Sequence, residues 1–291
     1  MKIALGTAQF GLNYGIANNH GQVSFHETKA ILKQAHSSGI NTLDTAISYG
    51  NSENRLGEIG IQDWKVVSKL PEIPKDSNNI SSWVTIAVEG SLERLKVRSI
   101  YGILLHRPQQ LLEKNGLKLY EALKLIKKRG LVKKIGISVY DPSELDALCS
   151  LFRFDLVQAP FNLLDRRLID SGWLFKFAEQ DIELHVRSIF LQGLLLMNSD
   201  MRPKIFNKWH SVWKQLDDWS SQSGLTRLQA CLHFALSFQE ISNVIIGVDG
   251  LCQLTEILSA AKGPDLKIPD MFRTNDPNLL NPARWPSLSN I

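Results

Sequence analysis

The stretch Leu131-Val132-Lys133-Lys134-Ile135-Gly136-Ile137-Ser138 is rich in apolar and β-branched residues, and Asp141-Pro142-Ser143-Glu144 follows it after two residues. The first segment predicts a short buried strand over 131–138. The second predicts a helix N-terminus, because Asp is a favoured cap, Pro fits the first helical position and an acidic residue suits the first turn. With helical spacing continuing to Phe152, this part of the chain predicts a strand followed directly by a helix.

The same strand–helix unit recurs along the chain. Strands are predicted at 2–6, 41–44, 65–68, 100–105, 131–138, 156–158, 183–188 and 243–246. Helices are predicted at 25–38, 52–60, 80–95, 111–129, 142–152, 166–180, 204–221, 225–238 and 251–261. Eight such units in one chain of this length predict an α/β fold, a closed (β/α)8 TIM barrel.

A doubly wound open sheet shares this alternation and is the alternative fold. Such a sheet usually carries a Gly-rich phosphate-binding turn after its first strand. The turn here is Gly6-Thr7-Ala8-Gln9-Phe10-Gly11-Leu12, which matches neither GxGxxG nor a phosphate loop. The barrel is therefore the favoured prediction.

The domain organisation follows from where the alternation stops. No linker interrupts residues 1–263, so they are predicted to form one catalytic barrel domain. Five of the eleven prolines lie after residue 263. We therefore expect residues 264–291 to form an irregular tail, without helix or strand, that packs on the barrel.

Composition excludes several protein classes. The 291 residues are 44% hydrophobic and carry a net charge of +4 spread along the chain, which is not the basic patch of a nucleic-acid-binding protein. No apolar run reaches the roughly 20 residues of a membrane-spanning helix, and residues 1–10 do not resemble a secretory signal. Cys149, Cys231 and Cys252 lack disulfide or zinc spacing and fit a reducing compartment. We expect a cytoplasmic protein with no metal, membrane or nucleic-acid partner, in an oligomeric state left open.

Polar residues occur where three consecutive predicted strands end. Asp44 ends the second strand, Lys69 ends the third, His106 follows the fourth, and Tyr49 lies five residues past Asp44. Because the carboxyl ends of barrel strands meet at one mouth, these side chains are expected to lie together. A nearby ammonium lowers the pKa of a phenol, Asp44 can neutralise a buried Lys69, and a neutral imidazole can donate to a carbonyl oxygen. This set predicts a proton relay that converts a ketone or aldehyde to an alcohol.

The segment from Asp44 to Glu53, DTAISYGNSE, followed by Lys69 and His106, resembles the aldo-keto reductase family. The resemblance extends in order over nearly the whole chain. It implies a barrel that binds NADP or NAD and reduces a small-molecule carbonyl substrate. In that family Tyr49 would be the general acid, Lys69 would tune it, Asp44 would pair with Lys69, and His106 would orient the carbonyl.

The same resemblance implies a set of cofactor-binding residues at later strand ends. Ser138 and Gln158 would hold the nicotinamide carboxamide, and the phosphates would meet backbone amides near 188–193 and at the start of the helix after Gly250. The full implied set is Gly6, Thr7, Ser138, Gln158, Arg187, Ser188, Phe190, Gly193, Gly247, Asp249 and Gln253.

Four departures from the family pattern bear on the cofactor. Val139 stands where many members have Asn, and Arg187 stands where an aromatic ring often stacks on the nicotinamide. Gly247 and Gln253 occupy positions where many members carry a cation for the adenosine 2′-phosphate, and Asp249 adds a negative charge nearby. The family favours NADP, and these departures leave NAD open.

The substrate is predicted to be polar or sugar-derived. Arg107 and Arg187 are expected near the mouth, where they could bind an anionic group; in the alternative interpretation, which is favoured, Arg107 is solvated and Arg187 serves the cofactor. Gln9, Phe10 and Tyr14 lie on the first loop. One alternative is a cofactor-sensing regulatory subunit with little turnover. Another is a metal-dependent barrel enzyme, which the sequence disfavours because His185 lies inside a strand and no HExxH motif occurs.

Overall fold

Eight parallel strands close into a barrel in chain order, with the last strand hydrogen-bonded to the first. This is the architecture of a computed structural model that describes residues 1–75, 77–263, 269 and 272–285. The strands are β1 Ile3–Gly6, β2 Thr42–Asp44, β3 Lys65–Leu70, β4 Ile100–Leu105, β5 Val132–Ser138, β6 Leu156–Pro160, β7 Glu183–Arg187 and β8 Asn243–Ile246. The predicted (β/α)8 barrel is confirmed, and the open-sheet alternative is wrong.

Helices surround the strands and cover a continuous apolar core. They are α1 Ala8–Gly11, α2 Phe25–Ser37, α3 Ser52–Ile59, α4 Ile80–Leu95, α5 Gly116–Lys128, α6 Glu144–Leu151, α7 Arg167–Asp170, α8 Trp173–Glu179, α9 His210–Ser223, α10 Arg227–Leu236, α11 Leu251–Ala260 and α12 Pro277–Leu280. Short 3-10 helices span Pro108–Leu112, Leu194–Leu196, Lys204–Trp209 and Pro282–Arg284. Within the described ranges, none of the helices combines the length and apolarity needed to cross a bilayer.

Several helix predictions were wrong because close contacts and turns interrupt the helical spacing. The predicted helix 111–129 begins only at Gly116, where a Cβ would lie 1.7 Å from the Leu111 carbonyl oxygen. The predicted helix 166–180 is split in two by Gly172, which has a φ of +75°. The predicted helix 204–221 starts as a 3-10 helix before α9. The short helix α1 was not predicted.

Helix α6 begins at Glu144 and not at the predicted Pro142. Asp141 nevertheless binds a backbone amide at this turn, since its carboxylate accepts a hydrogen bond from the Ser143 amide at 2.9 Å. The Glu144 carboxylate accepts one from the Asp141 amide at 2.8 Å. These bonds hold the turn that leads from β5 into the helix.

The described part of the C-terminal segment contains a helix, α12, so the expectation of no helix there is wrong. Phe272, Leu279 and Trp285 are buried against the rest of the protein. The Trp209 indole donates to Asp276 at 2.9 Å, which ties the segment to the region before α9. The predicted boundary after residue 263 adjoins 264–268, outside the described residues, and stays a prediction.

The interior of the barrel explains how strand-end residues come together. Val67, Leu104 and Leu156 form a small apolar cluster separate from the main core. Side chains two positions apart on a strand point to the same face, so the residues two positions further along continue the same interior column. On these three strands those residues are Lys69, His106 and Gln158, which places them at the carboxyl end.

Candidate active site

A cavity of about 610 Å³ opens at the carboxyl ends of the strands. Its volume lies within the range typical of small-molecule sites. Of the predicted site residues, only Lys69 and Ser138 do not line it, because both are buried beneath its wall. Those that do line it are Gly6, Thr7, Asp44, Tyr49, His106, Gln158, Arg187, Ser188, Phe190, Gly193, Gly247, Asp249 and Gln253.

A buried ion pair lies under the cavity. Lys69 Nζ donates to the two carboxylate oxygens of Asp44 at 2.8 and 2.7 Å and to the Thr45 carbonyl oxygen at 2.9 Å. An ammonium has three N–H donors, and these three contacts use all of them. Burial lowers the pKa of Lys69, while the Asp44 charge and hydrogen bond oppose that shift. The pair therefore carries little net charge toward the cavity.

Two neutral side chains extend this network. Gln158 donates from Nε2 to Asp44 Oδ1 at 2.7 Å, and the Ser138 hydroxyl donates to Gln158 Oε1 at 3.2 Å. Ser138 and Gln158 face each other in the register of β5 and β6. In this structure they orient Asp44, and their binding of a cofactor carboxamide stays a prediction.

Tyr49 lines the cavity together with Asp44 and His106. The hydroxyl makes no hydrogen bond with any of the described residues, and Lys69 Nζ lies 5.0 Å from the centre of the ring. Local packing holds the Tyr49 backbone in a tight turn before α3. The Tyr49 carbonyl oxygen lies so close to Gly11 that a Cβ there would come within 1.8 Å of it. The predicted proximity of Tyr49 to the Lys69 ammonium is therefore present, without a direct hydrogen bond.

The pKa of Tyr49 is raised, which is opposite to the lowering expected from Lys69. Burial raises it most, and the negative charge of Asp44 adds to this effect. Lys69 is paired with Asp44 at 2.7 Å. The cation that lowers the Tyr49 pKa is Arg187. The phenol consequently stays protonated at neutral pH and can serve as a proton donor.

His106 stands beside Tyr49 as a neutral imidazole. The two ring centres are 6.1 Å apart in an edge-on arrangement with an interplanar angle of 76°. Burial, together with the positive charges of Lys69 and Arg187, lowers the pKa of His106 to about 4. Its Nδ1 lies 3.4 Å from the Ser48 hydroxyl, while Nε2 has no hydrogen-bond partner in the described part of the chain.

Arg187 projects from the end of β7 into the same cavity. Its guanidinium stacks 4.7 Å from the centre of the Tyr140 ring and donates to the Val139 carbonyl oxygen at 2.9 Å and to the Ser188 hydroxyl at 3.2 Å. No carboxylate of the described ranges forms an ion pair with it. Tyr140 was missed by the sequence analysis, although its place just after β5 was the available signal.

The loops after β1 and β7 meet across the cavity. Ser188, Leu191 and Gln192 have left-handed backbone conformations, with φ values of +62°, +48° and +55°. Gly193 packs against Ala17 so closely that a Cβ at 193 would lie 2.4 Å from the Ala17 Cβ. Non-glycine residues with left-handed backbone conformations are strained and cluster at functional sites. The segment 188–192 is therefore a candidate for contacting a ligand. The sequence carried no signal for Ala17.

The residues expected on the substrate side lie in different places, and of the first-loop residues Gln9 and Tyr14 line the cavity. Phe10 is completely buried and does not line the cavity. Gln9 lies against Gly247, since a Cβ at 247 would come within 2.5 Å of its side-chain nitrogen. Arg107 is exposed, lies outside the cavity lining and is 3.4 Å from Glu72.

The end of the cavity formed by β8 and α11 differs from the expectation of free helix amides. The Leu251 amide donates to the Glu27 carboxylate at 2.7 Å, and the Asp249 amide donates to Gln253 Oε1 at 2.8 Å. Ser24 and Glu27 have the spacing of a capping box, in which the Glu27 carboxylate would accept a hydrogen bond from the Ser24 backbone amide. Only the Ser24 half of that box forms, with its side chain accepting from the Glu27 amide.

The alternative of a metal-dependent barrel enzyme requires a cluster of metal-ligating side chains. Over the described ranges, no group of three or more His, Cys, Asp or Glu side chains is placed to hold a metal ion.

Comparison with known proteins connects this site to one family. The sequence pattern described as the aldo/keto reductase family matches residues 2–274. The chain is 27% identical over 190 residues to an aldo-keto reductase of Gibberella moniliformis; this alignment spans 61% of the chain but only 56% of the fungal protein. It is 23% identical over 291 residues to L-glyceraldehyde 3-phosphate reductase of Escherichia coli K12, covering 86% of the chain and 83% of that enzyme.

The fold comparison agrees with the sequence comparison. The structure of aldo-keto reductase AKR11C1 from Bacillus halodurans in its holo form superimposes with a TM-score of 0.71. The match covers 91% of this chain and 88% of that one at 18% identity. At this identity the likeness establishes the barrel fold alone.

Proposed function

Because the chain belongs to the aldo/keto reductase family and is thus an oxidoreductase, we propose that it reduces an aldehyde or ketone to an alcohol, with Tyr49 as the proton donor. The observation that carries this proposal is the Tyr49 hydroxyl. Tyr49 lines the cavity and its hydroxyl has no hydrogen-bond partner among the described residues; it lies beside a neutral His106 and close to the buried Lys69–Asp44 pair. Hydrogen-bond donors placed in this way stabilise a carbonyl oxygen as it gains negative charge during reduction.

The chain's own residues divide the work on the substrate oxygen. His106 donates a hydrogen bond from Nε2 and orients the carbonyl group. Tyr49 transfers its phenolic proton to the same oxygen as the C–O bond becomes that of an alcohol. The phenolate left on Tyr49 is stabilised by the Arg187 guanidinium, while Asp44, itself bound by Gln158, holds Lys69 in place 5.0 Å from the centre of the Tyr49 ring.

The cavity fits a nicotinamide dinucleotide, which would supply the hydride when bound. The lining runs from Tyr49 past the β7 loop to α11, and it includes one buried acceptor, Asp249 Oδ1, that has no hydrogen-bond partner in the described part of the protein. A ribose hydroxyl is a donor of the kind this atom lacks. The residues that would hold the dinucleotide are Gly6, Thr7, Gln158, Arg187, Ser188, Phe190, Gly193, Gly247, Asp249 and Gln253, with Ser138 acting through its hydrogen bond to Gln158.

The substrate we propose is a polar or sugar-derived carbonyl compound. Polar groups of Tyr14, Tyr140, Arg187 and Gln192 line the cavity together with Tyr49. A guanidinium without a carboxylate partner suits hydroxyl or anionic groups of a substrate. The E. coli relative named for a sugar phosphate is consistent with this class.

The test measures the oxidation of NADH and NADPH by the purified protein with a panel of aldoses, sugar phosphates and simple aldehydes. We expect turnover with at least one polar carbonyl and identification of the alcohol product by mass spectrometry. Tyr49→Phe should keep the dissociation constant of the cofactor and lose the reaction. Tight cofactor binding without turnover of any carbonyl would favour the regulatory alternative.

A further inference from the structure

The N-terminus of α11 already holds an anion that belongs to the protein. Glu27, from α2, places its carboxylate 2.7 Å from the Leu251 amide, and the same oxygen would lie 3.3 Å from a Cβ at Gly250. Gln253 Oε1 takes the neighbouring Asp249 amide. A helix N-terminus attracts a phosphate through free amides and its positive dipole end. Here Glu27 and Gln253 occupy amides at this helix start and reduce that attraction.

The charged side chains that line this end of the cavity are negative. Asp249 and Glu256 line the cavity beside Gly247, and Glu27 lies directly behind α11. Among the described lining residues Arg187 alone is Lys or Arg, and it belongs to β7 beside Tyr140. A group with additional negative charge is therefore disfavoured at the α11 end.

The position of the reacting groups assigns this end to the nucleotide half of the cofactor. The hydride-donating ring has to reach a carbonyl held by Tyr49 and His106. The rest of an extended dinucleotide then has to occupy the remaining lining, along 188–193 and 247–257. NADPH differs from NADH only by a phosphate on the adenosine ribose, which adds about −1.5 to −2 charges at neutral pH.

Resting on the proposed function, we propose that this protein selects the non-phosphorylated cofactor, NADH, and that Glu27 and Asp249 are the residues that exclude NADPH. Asp249 Oδ1 supports the choice because it is a buried acceptor without a partner among the residues described. A ribose hydroxyl donates to such an atom, whereas phosphate oxygens bring only further acceptors.

The experiment compares dissociation constants and needs no turnover. Purified protein is titrated with NADH and with NADPH at pH 8 and low salt, following the fluorescence of the reduced cofactor. The dissociation constant of NADH should be at least about tenfold lower than that of NADPH. Rising salt should bring the two dissociation constants closer together because it screens charge. Equal or tighter binding of NADPH overturns this inference and leaves the proposed function standing. Absence of binding by both cofactors overturns the proposed function together with it.

Charge-neutral variants identify the residues responsible. Glu27→Gln and Asp249→Asn keep the size of each side chain and remove its charge. Each should tighten NADPH binding by roughly fivefold, with a smaller change for NADH. Glu58→Gln, which removes an exposed charge on α3, is the matched control and should leave the ratio unchanged. An unchanged NADPH/NADH ratio in both test variants would contradict the roles of Glu27 and Asp249.

Discussion

The two ends of the barrel contain the same four kinds of side chain in different arrangements. The carboxyl end has Asp44, Lys69, Tyr49 and His106. The amino end has Glu183, Lys134, Tyr101 and His185. There, the Tyr101 hydroxyl donates to Glu183 at 2.7 Å, Lys134 also contacts Glu183, and His185 lies 2.7 Å from it.

The difference between the ends is whether the phenol has a protein partner. At the amino end the Tyr101 hydroxyl donates a hydrogen bond to Glu183, so this hydroxyl already has a protein partner. At the carboxyl end the Asp44 carboxylate is engaged with Lys69 and Gln158, and the Tyr49 hydroxyl has no hydrogen-bond partner among the described residues. The same residue types therefore stabilise the fold at one end and are available for chemistry at the other.

Removing each phenol hydroxyl tests this comparison most strongly. Tyr49→Phe should lower kcat for carbonyl reduction by about 10³–10⁴-fold and leave the free energy of unfolding nearly unchanged, because a general acid is lost but no protein hydrogen bond. Tyr101→Phe should keep kcat within about twofold and cost about 1 kcal/mol of stability. Steady-state kinetics and urea denaturation check the pair, and a severe activity loss in Tyr101→Phe would break the comparison.

Removing each lysine tests whether the more deeply buried cluster contributes more to the free energy of unfolding. Lys69→Met leaves the Asp44 charge buried without its partner, so we expect a loss of about 3–5 kcal/mol in unfolding free energy and strongly reduced turnover. The Lys134 side chain is 30% exposed, so Lys134→Met should cost only about 1 kcal/mol and keep turnover. Chemical denaturation measures both, and equal losses would show that burial does not distinguish the two clusters.

Acid titration should report on the amino end. Burial alone would raise the pKa of Glu183, but hydrogen bonds from His185, Lys134 and Tyr101 lower it to about 2. A carboxyl with a lowered pKa contributes stability above its ordinary value of about 4.5 and loses it as the pH falls toward 2. Glu183→Gln should therefore cost roughly 2 kcal/mol near neutral pH and flatten the wild-type decline below pH 4.5. A decline as steep as in the wild type would contradict this role.

The smallest expected effect concerns His106 at the carboxyl end. Its pKa of about 4 results first from burial and then from the charges of Lys69 and Arg187. Arg187→Gln should raise that pKa by less than about one unit, as followed by the imidazole resonances in an NMR titration. The exposed Arg98→Gln change is the control. A measured pKa near 6.5 for His106 in the wild-type protein would show that water reaches the imidazole more freely than its burial implies.

Local sequence patterns were sufficient for the barrel and its strand ends. Apolar runs with helical stretches between them located all eight strands, and the helix prediction 80–95 coincides with α4. Helix breaks were harder to predict because they depend on contacts outside the helix or on a single backbone conformation. Gly116 is confined by the Leu111 carbonyl, and Gly172 adopts a left-handed φ that residue spacing does not reveal.

The sequence by itself indicated which polar residues stand at the ends of the strands, because side-chain alternation is a local property of the chain. Only the tertiary structure decided which groups each of those residues contacts. Lys69 is neutralised by Asp44, and Glu27 caps a helix 224 residues further along the chain. Such pairings depend on the closure of the barrel, which brings distant segments within hydrogen-bond distance.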